Sequence, residues 1–142
     1  MITAIREGRT SITWADVVKA KQLKELGPSE DVEYIDRERH AVAIHEACHA
    51  VMAHLVRQHM NIDLATIEKG SDYLGMVASI PPDDQFTRWR TEYESDILVA
   101  LASLAGERMF FDGDNSSGVS GDLESATTIA DRKSTRLNSS HA

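Results

Sequence analysis

Two histidines and a glutamate stand at a spacing that can bind and use a metal ion. They belong to the pentapeptide His45-Glu46-Ala47-Cys48-His49, an H-E-x-x-H pattern. Because a helix turns about 100° per residue, His45 and His49 would lie on one face, where both imidazoles can bind a single Zn²⁺. Glu46 would project beside them and hold the water that such a metal activates. The motif predicts zinc-dependent hydrolysis.

The residues around the motif favour a buried metal site over a solvated helix that carries two histidines and a glutamate by chance. The flanking segments are largely apolar, from Ala41 to Ile44 before the motif and from Ala50 to Met52 after it. Burying histidine and glutamate side chains costs free energy unless they have a partner or a metal. The context therefore indicates a metal ligand role for the motif.

A catalytic zinc usually has three protein ligands, and no other histidine stands at a suitable spacing. His54 follows His49 by five residues, whereas the H-E-x-x-H-x-x-G-x-x-H pattern requires six. It would also point to the opposite side of the helix from His45, which favours a structural or exposed position. His40 and His59 flank the helix without a favourable spacing. The third ligand is therefore expected to be a carboxylate.

Four carboxylates are candidates for that third ligand: Asp63, Glu68, Glu107 and Asp122. Glu68 belongs to a predicted strand, and Glu107 to the C-terminal part of a predicted helix. Asp122 follows a Gly/Ser-rich loop at a helix start, where a carboxylate capped by the backbone can be aimed at a metal. The residues alone favour Asp122 only slightly.

The elements that must position these residues follow from hydrophobic spacing and turn residues. Helices are predicted at residues 13–26, 35–59 and 92–111, and a short helix opens near residue 122. Thr13 is the predicted cap of the first helix, with Asp16 in its first turn. Residues 64–68 and 73–80 are predicted as strands joined by a turn at residues 69–72. The predicted fold class is mainly α with a small β-hairpin.

Length and composition restrict the class of protein. The chain has 142 residues, 42% of them hydrophobic, a formal net charge of −8 and one cysteine, Cys48. These values predict one globular domain with a modest core, without a disulfide, in a reducing compartment. The acidic balance argues against a nucleic-acid partner. The sequence has no stretch of membrane-span length, no signal-peptide core and no P-loop, so a soluble polypeptide without ATPase activity of its own is expected.

The last stretch is predicted to be foreign to the protein. Residues 131–141 read DRKSTRLNSSH, a polar string without helical periodicity. It looks like the in-frame translation of a common sequencing-library adapter, so the native sequence is expected to end near Ala130. A disordered natural C-terminus is the alternative.

Three blocks of sequence together resemble the peptidase domain of the FtsH family, the AAA+ ATP-dependent zinc metalloproteases. They occur in the order HEACHAV, LATIEKGSDYLGMVASIPPDD and VSGDLESATTIA. In that family a His-Glu-Ala-Gly-His-Ala motif precedes a strand pair with a Leu-Gly-containing segment and Pro, and a Gly-x-x-x-Asp-Leu-x-x-Ala-Thr motif follows later. Residues 118–127 match the last motif closely. The resemblance covers roughly residues 35–130.

The resemblance implies a zincin-like H-E-x-x-H helix in a zinc-dependent endopeptidase. It implies that His45, His49 and Asp122 bind one Zn²⁺ per chain and that Glu46 is the catalytic carboxylate. The substrates would be unfolded or membrane proteins, cleaved as part of an ATP-dependent protease. The strand from Leu74 to Ile80 is a candidate to pair with an extended substrate, unless it is internal.

The resemblance also implies how the sequence is organised. Residues 1–34 would be the tail of an ATPase module and its connector helix, 35–130 a zinc peptidase domain truncated at its C-terminus, and 131–142 the foreign tail. ATP would act only through the ATPase module, which is missing here. The implied assembly is a homo-oligomer, a hexamer. The implied location is the bacterial cytoplasm, or the cytoplasmic face of a membrane where an anchor lies upstream.

Two departures from the family pattern point to a divergent branch. Cys48 stands where the family usually has Gly, and we interpret it as a small side chain that packs against a neighbour. Phe110 and Phe111 replace an acidic pair that often ends the preceding helix of the family.

The competing interpretation is a catalytically silent helical module that serves oligomerisation. The intact H-E-x-x-H motif and the Asp122 block favour the peptidase.

Overall fold

The computed structural model of the chain describes residues 2–28, 33–70, 74–81 and 86–138. Within these ranges the chain forms five helices and two strands, in the order α1 (Ile2–Arg6), α2 (Trp14–Leu26), α3 (Asp36–Val56), β1 (Asn61–Thr66), β2 (Met76–Ile80), α4 (Arg90–Phe110) and α5 (Val119–Asn138). The predicted fold class, mainly α with a small β-hairpin, is confirmed. No helix in the described part of the chain is long and apolar enough to cross a membrane.

The chain divides into two compact units. The first comprises Met1–Glu33 and Glu68–Leu74, and the second comprises Tyr34–Ile67 and Gly75–Ala142. The first unit contains α1 and α2, and the second contains the H-E-x-x-H motif with all the other elements. The assignment of residues 1–34 to an ATPase module stays a prediction.

In the first unit, α2 begins at the predicted cap. The Thr13 hydroxyl accepts a hydrogen bond from the backbone N–H of Asp16, whose carboxylate accepts one from the backbone N–H of Thr13 at 2.7 Å. Arg9 donates two hydrogen bonds to the same carboxylate, at 2.7 and 2.9 Å. The hydrogen bonds from Arg9 have the largest effect, and together with those from Thr13 they hold the pKa of Asp16 well below its usual range. The helix start is therefore fixed by local contacts.

In the second unit, α3 is the helix that carries the H-E-x-x-H motif. It ends at Val56, three residues before the predicted end, because Arg57 leaves helical geometry while its N–H still bonds to Ala53 O. The Arg57 side chain then donates to the buried carboxylate of Asp96 at 2.8 Å. This ion pair ties the end of α3 to α4.

The two strands form an antiparallel pair whose bounds differ from the prediction. Asn61 pairs with Ile80 and Thr66 with Met76, with an irregularity between Ile62 and Leu64. The first strand thus begins at 61 instead of 64, since pairing overrides the low strand propensity of its polar residues. The second begins at 76 instead of 73. Part of the predicted turn, residues 71–73, lies outside the described residues.

Helix α4 packs against both α3 and α5. It begins at Arg90, two residues before the predicted start, because the Glu92 carboxylate folds back to accept a hydrogen bond from the backbone N–H of Trp89 at 2.9 Å. At Gly106 it approaches α3 so closely that an added Cβ would lie 2.1 Å from the Cys48 sulfur. Cys48 therefore packs against a neighbour, as interpreted from the sequence, and fills the space that a side chain at Gly106 would need.

Helix α5 is longer than the short helix predicted near Asp122. It begins three residues earlier, at Val119, and continues to Asn138. Val119 and Ala126 are buried and flank Asp122 in sequence, so the face of α5 that carries this aspartate packs toward α4. The helix runs through most of the polar tail, and the foreign origin of that tail stays a prediction.

Candidate metal centre

Three side chains from two helices bring one ligand atom each to a common point. His45 and His49 lie one turn apart on α3, and Asp122 lies in the first turn of α5. The Nε2 atoms of the two histidines are 3.1 Å apart, and they lie 3.1 and 3.2 Å from Oδ2 of Asp122. The three atoms form a nearly equilateral triangle. Among the described residues these three form a group able to hold a metal ion.

The donor atoms and their spacing fit zinc. Imidazole nitrogen and carboxylate oxygen are both common zinc ligands. In a tetrahedral site with bonds of about 2.0 Å, two ligand atoms lie about 3.3 Å apart, which is close to the sides of the observed triangle. Catalytic zinc sites combine three protein ligands with one open position. The residues present therefore suit a catalytic rather than a purely structural zinc.

Both histidines are held in the ring orientation that a metal requires. The Nδ1 atom of His49 lies 2.8 Å from the backbone oxygen of Val99, which can only accept, so this nitrogen carries the proton. The Nδ1 atom of His45 lies 2.7 Å from the Glu107 carboxylate. With Nδ1 as the donor in both rings, Nε2 is the nitrogen that faces Asp122, with a lone pair when the ring is neutral and an N–H when the ring is protonated. Such outer contacts are typical of metal-binding histidines.

Glu107 is fully buried and lies behind His45 rather than in the triangle. Its carboxylate also accepts hydrogen bonds from the backbone N–H and the hydroxyl of Ser116, at 2.5 and 3.0 Å. Burial alone would raise the pKa of Glu107, but the bonds from Ser116 and His45 outweigh it and hold the pKa below its usual value. A charged Glu107 therefore supports His45 from the side opposite the candidate metal.

Asp122 has an outer contact as well. The hydroxyl of Ser103, a fully buried residue of α4, lies 2.5 Å from Oδ2 of Asp122. Burial would raise the pKa of Asp122, but hydrogen bonds from His45, His49 and Ser103 hold it well below its usual range. The carboxylate is therefore ionised, as a metal ligand must be.

The same contacts change the protonation of His45. Burial lowers its pKa, but hydrogen bonds to Asp122 and Glu107 outweigh that effect and raise the pKa to about 9. Without a metal, His45 is therefore positively charged at neutral pH, with Nδ1–H bonded to Glu107 and a second proton on Nε2 that faces Asp122. A metal that binds there must displace this proton.

Glu46 lies next to His45 in sequence and against the backbone that leads into β2. A Cβ built on Gly75 would lie 2.7 Å from Cγ and 2.9 Å from Oε1 of Glu46, and 3.0 Å from the backbone oxygen of Thr66. Only glycine leaves room for the glutamate at this point. Burial raises the pKa of Glu46 above its usual value.

The structure sorts the residues that the sequence singled out. His45, His49 and Asp122 come together, and Glu107, a candidate for the third ligand, lies one contact behind them. The metal-binding group found among the described residues does not include the remaining candidates, which are Asp63, Glu68, His40, His54 and His59. The sequence interpretation missed Ser103 and the outer role of Glu107. The available signal was that Ser103 and Glu107 are polar residues four positions apart in an otherwise largely apolar helix, which places both on one face.

Comparison with known proteins matches most of the chain. The model of peptidase family M41 matches residues 33–141. The ATP-dependent zinc metalloprotease FtsH 2 of Sphaerobacter thermophilus is 34% identical over 130 residues, which are 91% of this chain and 20% of that protein. The ATP-dependent zinc metalloprotease FtsH of Methylococcus capsulatus is 31% identical over 131 residues, which are 91% of this chain and 20% of that protein. The protein of the same name from Thermotoga maritima is 33% identical over 131 residues, which are 91% of this chain and 21% of that protein. The chain thus spans about a fifth of the length of these curated relatives.

Proposed function

The chain belongs to peptidase family M41, within the FtsH family of zinc metalloproteases, and we propose that it is the zinc endopeptidase domain of an ATP-dependent protease. The observation that carries this proposal is the triangle of Nε2 of His45, Nε2 of His49 and Oδ2 of Asp122, with sides of 3.1 to 3.2 Å. A silent scaffold would have no need to keep three ligand atoms together and to orient each of them.

We assign His45, His49 and Asp122 as the protein ligands of one Zn²⁺ per chain. Zinc bound there would polarise the scissile carbonyl and lower the pKa of a bound water to about 7. The chain's own contribution is to keep both Nε2 lone pairs and one ionised carboxylate oxygen directed at the same point. Val99 O and Glu107 achieve this for the histidines because they accept the Nδ1 protons.

We assign Glu46 as the general base. Its carboxylate takes the proton of the attacking water and later delivers it to the leaving amine. The support is its place one residue after His45 and its half-buried position against the backbone at Gly75. That position brings the carboxylate to the start of β2.

An extended substrate is proposed to pair with β2. In the part of the chain that the structure describes, β2 pairs with β1 alone, so its other edge carries no described strand. A peptide on that edge would be held by backbone hydrogen bonds, which would allow cleavage with little sequence preference. The start of this strand lies against Glu46, so a bound peptide would pass the general base.

The proposals for the whole protein rest on its relatives. The names of the relatives describe ATP-dependent proteases, so we propose that ATP acts through a separate ATPase module that delivers unfolded or membrane proteins. A homo-hexamer is the proposed assembly. The relatives come from bacteria, which favours a bacterial cytoplasm or the cytoplasmic face of a membrane.

Substitution Glu46→Gln tests the proposed activity. With an unfolded casein peptide as substrate, which needs no unfolding, we expect hydrolysis by the 142-residue chain to fall at least about 100-fold, the usual size of a general-base contribution. The zinc content should not change, because Glu46 is not a ligand. Cleavage that survives the substitution would remove Glu46 from this role. A folded, zinc-loaded wild-type chain without any activity would favour the silent oligomerisation module.

A further inference from the structure

We propose that Ser103 is a positioning residue of the metal site, which selects and holds the oxygen of Asp122 that serves as the third ligand. This inference rests on the proposed function, since it assumes that the site binds zinc. It concerns a residue of α4 that lies 19 positions from Asp122 in sequence and forms no part of the H-E-x-x-H motif.

The hydroxyl of Ser103 has a single proton, and its surroundings determine where that proton goes. Ser103 is fully buried, so leaving the hydroxyl unbonded would be costly. Two acceptors are near: Oδ2 of Asp122 at 2.5 Å and the backbone oxygen of Ala100 at 3.4 Å. The short distance is that of a hydrogen bond to an ionised oxygen, whereas the long one is weak. The proton therefore points to Asp122.

The contacted oxygen is the one that faces both histidines. Oδ2 of Asp122 lies 3.1 Å from Nε2 of His45 and 3.2 Å from Nε2 of His49. The terminal torsion of an aspartate is broad, so the packing of α5 does not by itself decide which oxygen points inward. A hydrogen bond from a fixed, buried hydroxyl decides it. The oxygen keeps a further lone pair for a metal.

With Ser103, one face of α4 provides an outer partner for each of the three ligands. Val99, Ser103 and Glu107 are spaced by four residues and contact His49, Asp122 and His45 in turn. Removal of such outer partners typically weakens metal binding 10- to 100-fold. We expect a value near the lower limit for Ser103, because the carboxylate stays charged without it.

The test measures the Zn²⁺ affinity of the 142-residue chain by competition with a chromogenic chelator. We expect Ser103→Ala to weaken Zn²⁺ binding about 10-fold. The matched control is Ser95→Ala on the same helix, where the lost hydroxyl bonds, among the described residues, to the backbone oxygens of Val56 and Thr91, at 3.0 and 2.9 Å. The control should bind Zn²⁺ as the wild type does. Equal affinities of Ser103→Ala and wild type would overturn the inference.

A double-substitution experiment separates positioning from a general loss of structure. If Ser103 acts through Asp122, Ser103→Ala should not weaken Zn²⁺ binding further in an Asp122→Ala background. An equal loss in both backgrounds would assign Ser103 a merely structural role. The visible absorption of bound Co²⁺ should shift in Ser103→Ala and not in Ser95→Ala. Ser103→Cys keeps a side chain of similar shape with a weaker hydrogen-bond donor. Its Zn²⁺ affinity should lie between those of the wild type and Ser103→Ala, and it replaces Ser103→Ala in the test if the alanine variant does not fold.

The outcomes also separate this inference from the proposed function. A folded wild-type chain that binds no Zn²⁺ would contradict the zinc site itself. Zn²⁺ binding that depends on Asp122 but not on Ser103 would leave the site in place and refute only the positioning role.

Discussion

The two ends of α4 both bury a carboxylate, but they neutralise it with different partners. Near the N-terminal end, Asp96 is 6% exposed and is bound by the guanidinium groups of Arg57 and Arg88. Near the C-terminal end, Glu107 is fully buried and bonds to His45 and to Ser116. Arginine stays charged at any pH that a protein tolerates, whereas histidine can release its proton.

This difference separates a structural contact from a functional one. The two arginines hold the end of α3 and the start of α4 at Asp96, and a proton or a metal has no part in that contact. Glu107 instead fixes the orientation of a histidine whose other nitrogen faces Asp122 and His49. The first carboxylate is therefore expected to govern stability, and the second to govern metal binding.

The largest effect is expected at the structural end. Asp96→Asn keeps the side-chain volume but removes the anion shared by Arg88, which is 40% exposed, and Arg57, which is 19% exposed. Arg88 keeps a weaker ion pair with Glu92, at 4.0 Å. Loss of one partner of a fully buried pair costs about 3–5 kcal/mol. Because Arg88 is partly solvated, we expect the free energy of unfolding to fall by about 2–3 kcal/mol in urea titration. Zinc affinity measured on the folded variant should stay within about twofold of the wild-type value. A larger loss would show that Asp96 affects metal binding as well as stability.

The converse substitution is Glu107→Gln. In Glu107 one oxygen accepts from His45 and the Ser116 hydroxyl and the other accepts from the Ser116 backbone N–H, whereas an amide offers an acceptor at only one of these two positions. If its NH₂ group faces Nδ1, the His45 proton moves to Nε2, and the lone pair that a metal needs is lost. We expect zinc affinity to fall about 10- to 100-fold, measured by chelator competition. The unfolding of the metal-free chain serves as the control, since a change there as large as that of Asp96→Asn would indicate a structural role for Glu107 too.

The smallest effect, taken per pH unit, is a pH dependence of zinc binding that only the histidine end should show. The pKa of His45 is raised to about 9, so below that pH the ring carries a second proton on Nε2, which zinc must displace. The His45 proton should therefore contribute a rise in apparent zinc affinity of about tenfold per pH unit between roughly pH 7 and 9, in addition to the rise from ionisation of a zinc-bound water. Calorimetry in two buffers at pH 7.5 should find about 1.7 protons released per zinc, about one from His45 and about 0.8 from a zinc-bound water whose pKa is about 7. Release of only about 0.9 proton, almost all of it from the water, would indicate an ordinary His45 pKa near 6.5.

The parts of the structure that depend on neighbouring residues were predictable from the sequence. The cap of α2 at Thr13 and the motif helix follow from patterns within a few positions. The strand bounds could not be predicted from the sequence, because the start of β1 depends on pairing with residues near Ile80 rather than on its own polar sequence.

In the candidate site too, the features that depend on nearby residues could be predicted, and the contacts between distant residues could not. The spacing of His45 and His49 is local, so their shared face could be predicted. The contact of Glu107 with His45 joins residues 62 positions apart, and that of Ser103 with Asp122 joins residues on two different helices. Such contacts depend on how α4 packs between α3 and α5, which no short pattern encodes. The residues alone favoured Asp122 over the other carboxylates only slightly, and the resemblance to a family was needed to select it clearly.

The most direct test of the proposed zinc site is the zinc content of the folded chain beside that of Asp122→Ala. Elemental analysis of the purified 142-residue chain, with folding checked by circular dichroism, should find about one zinc per chain, and the variant should lose most of it. A folded wild-type chain without zinc would contradict the site. So would a variant that retains its zinc, since the third ligand would then be a residue other than Asp122.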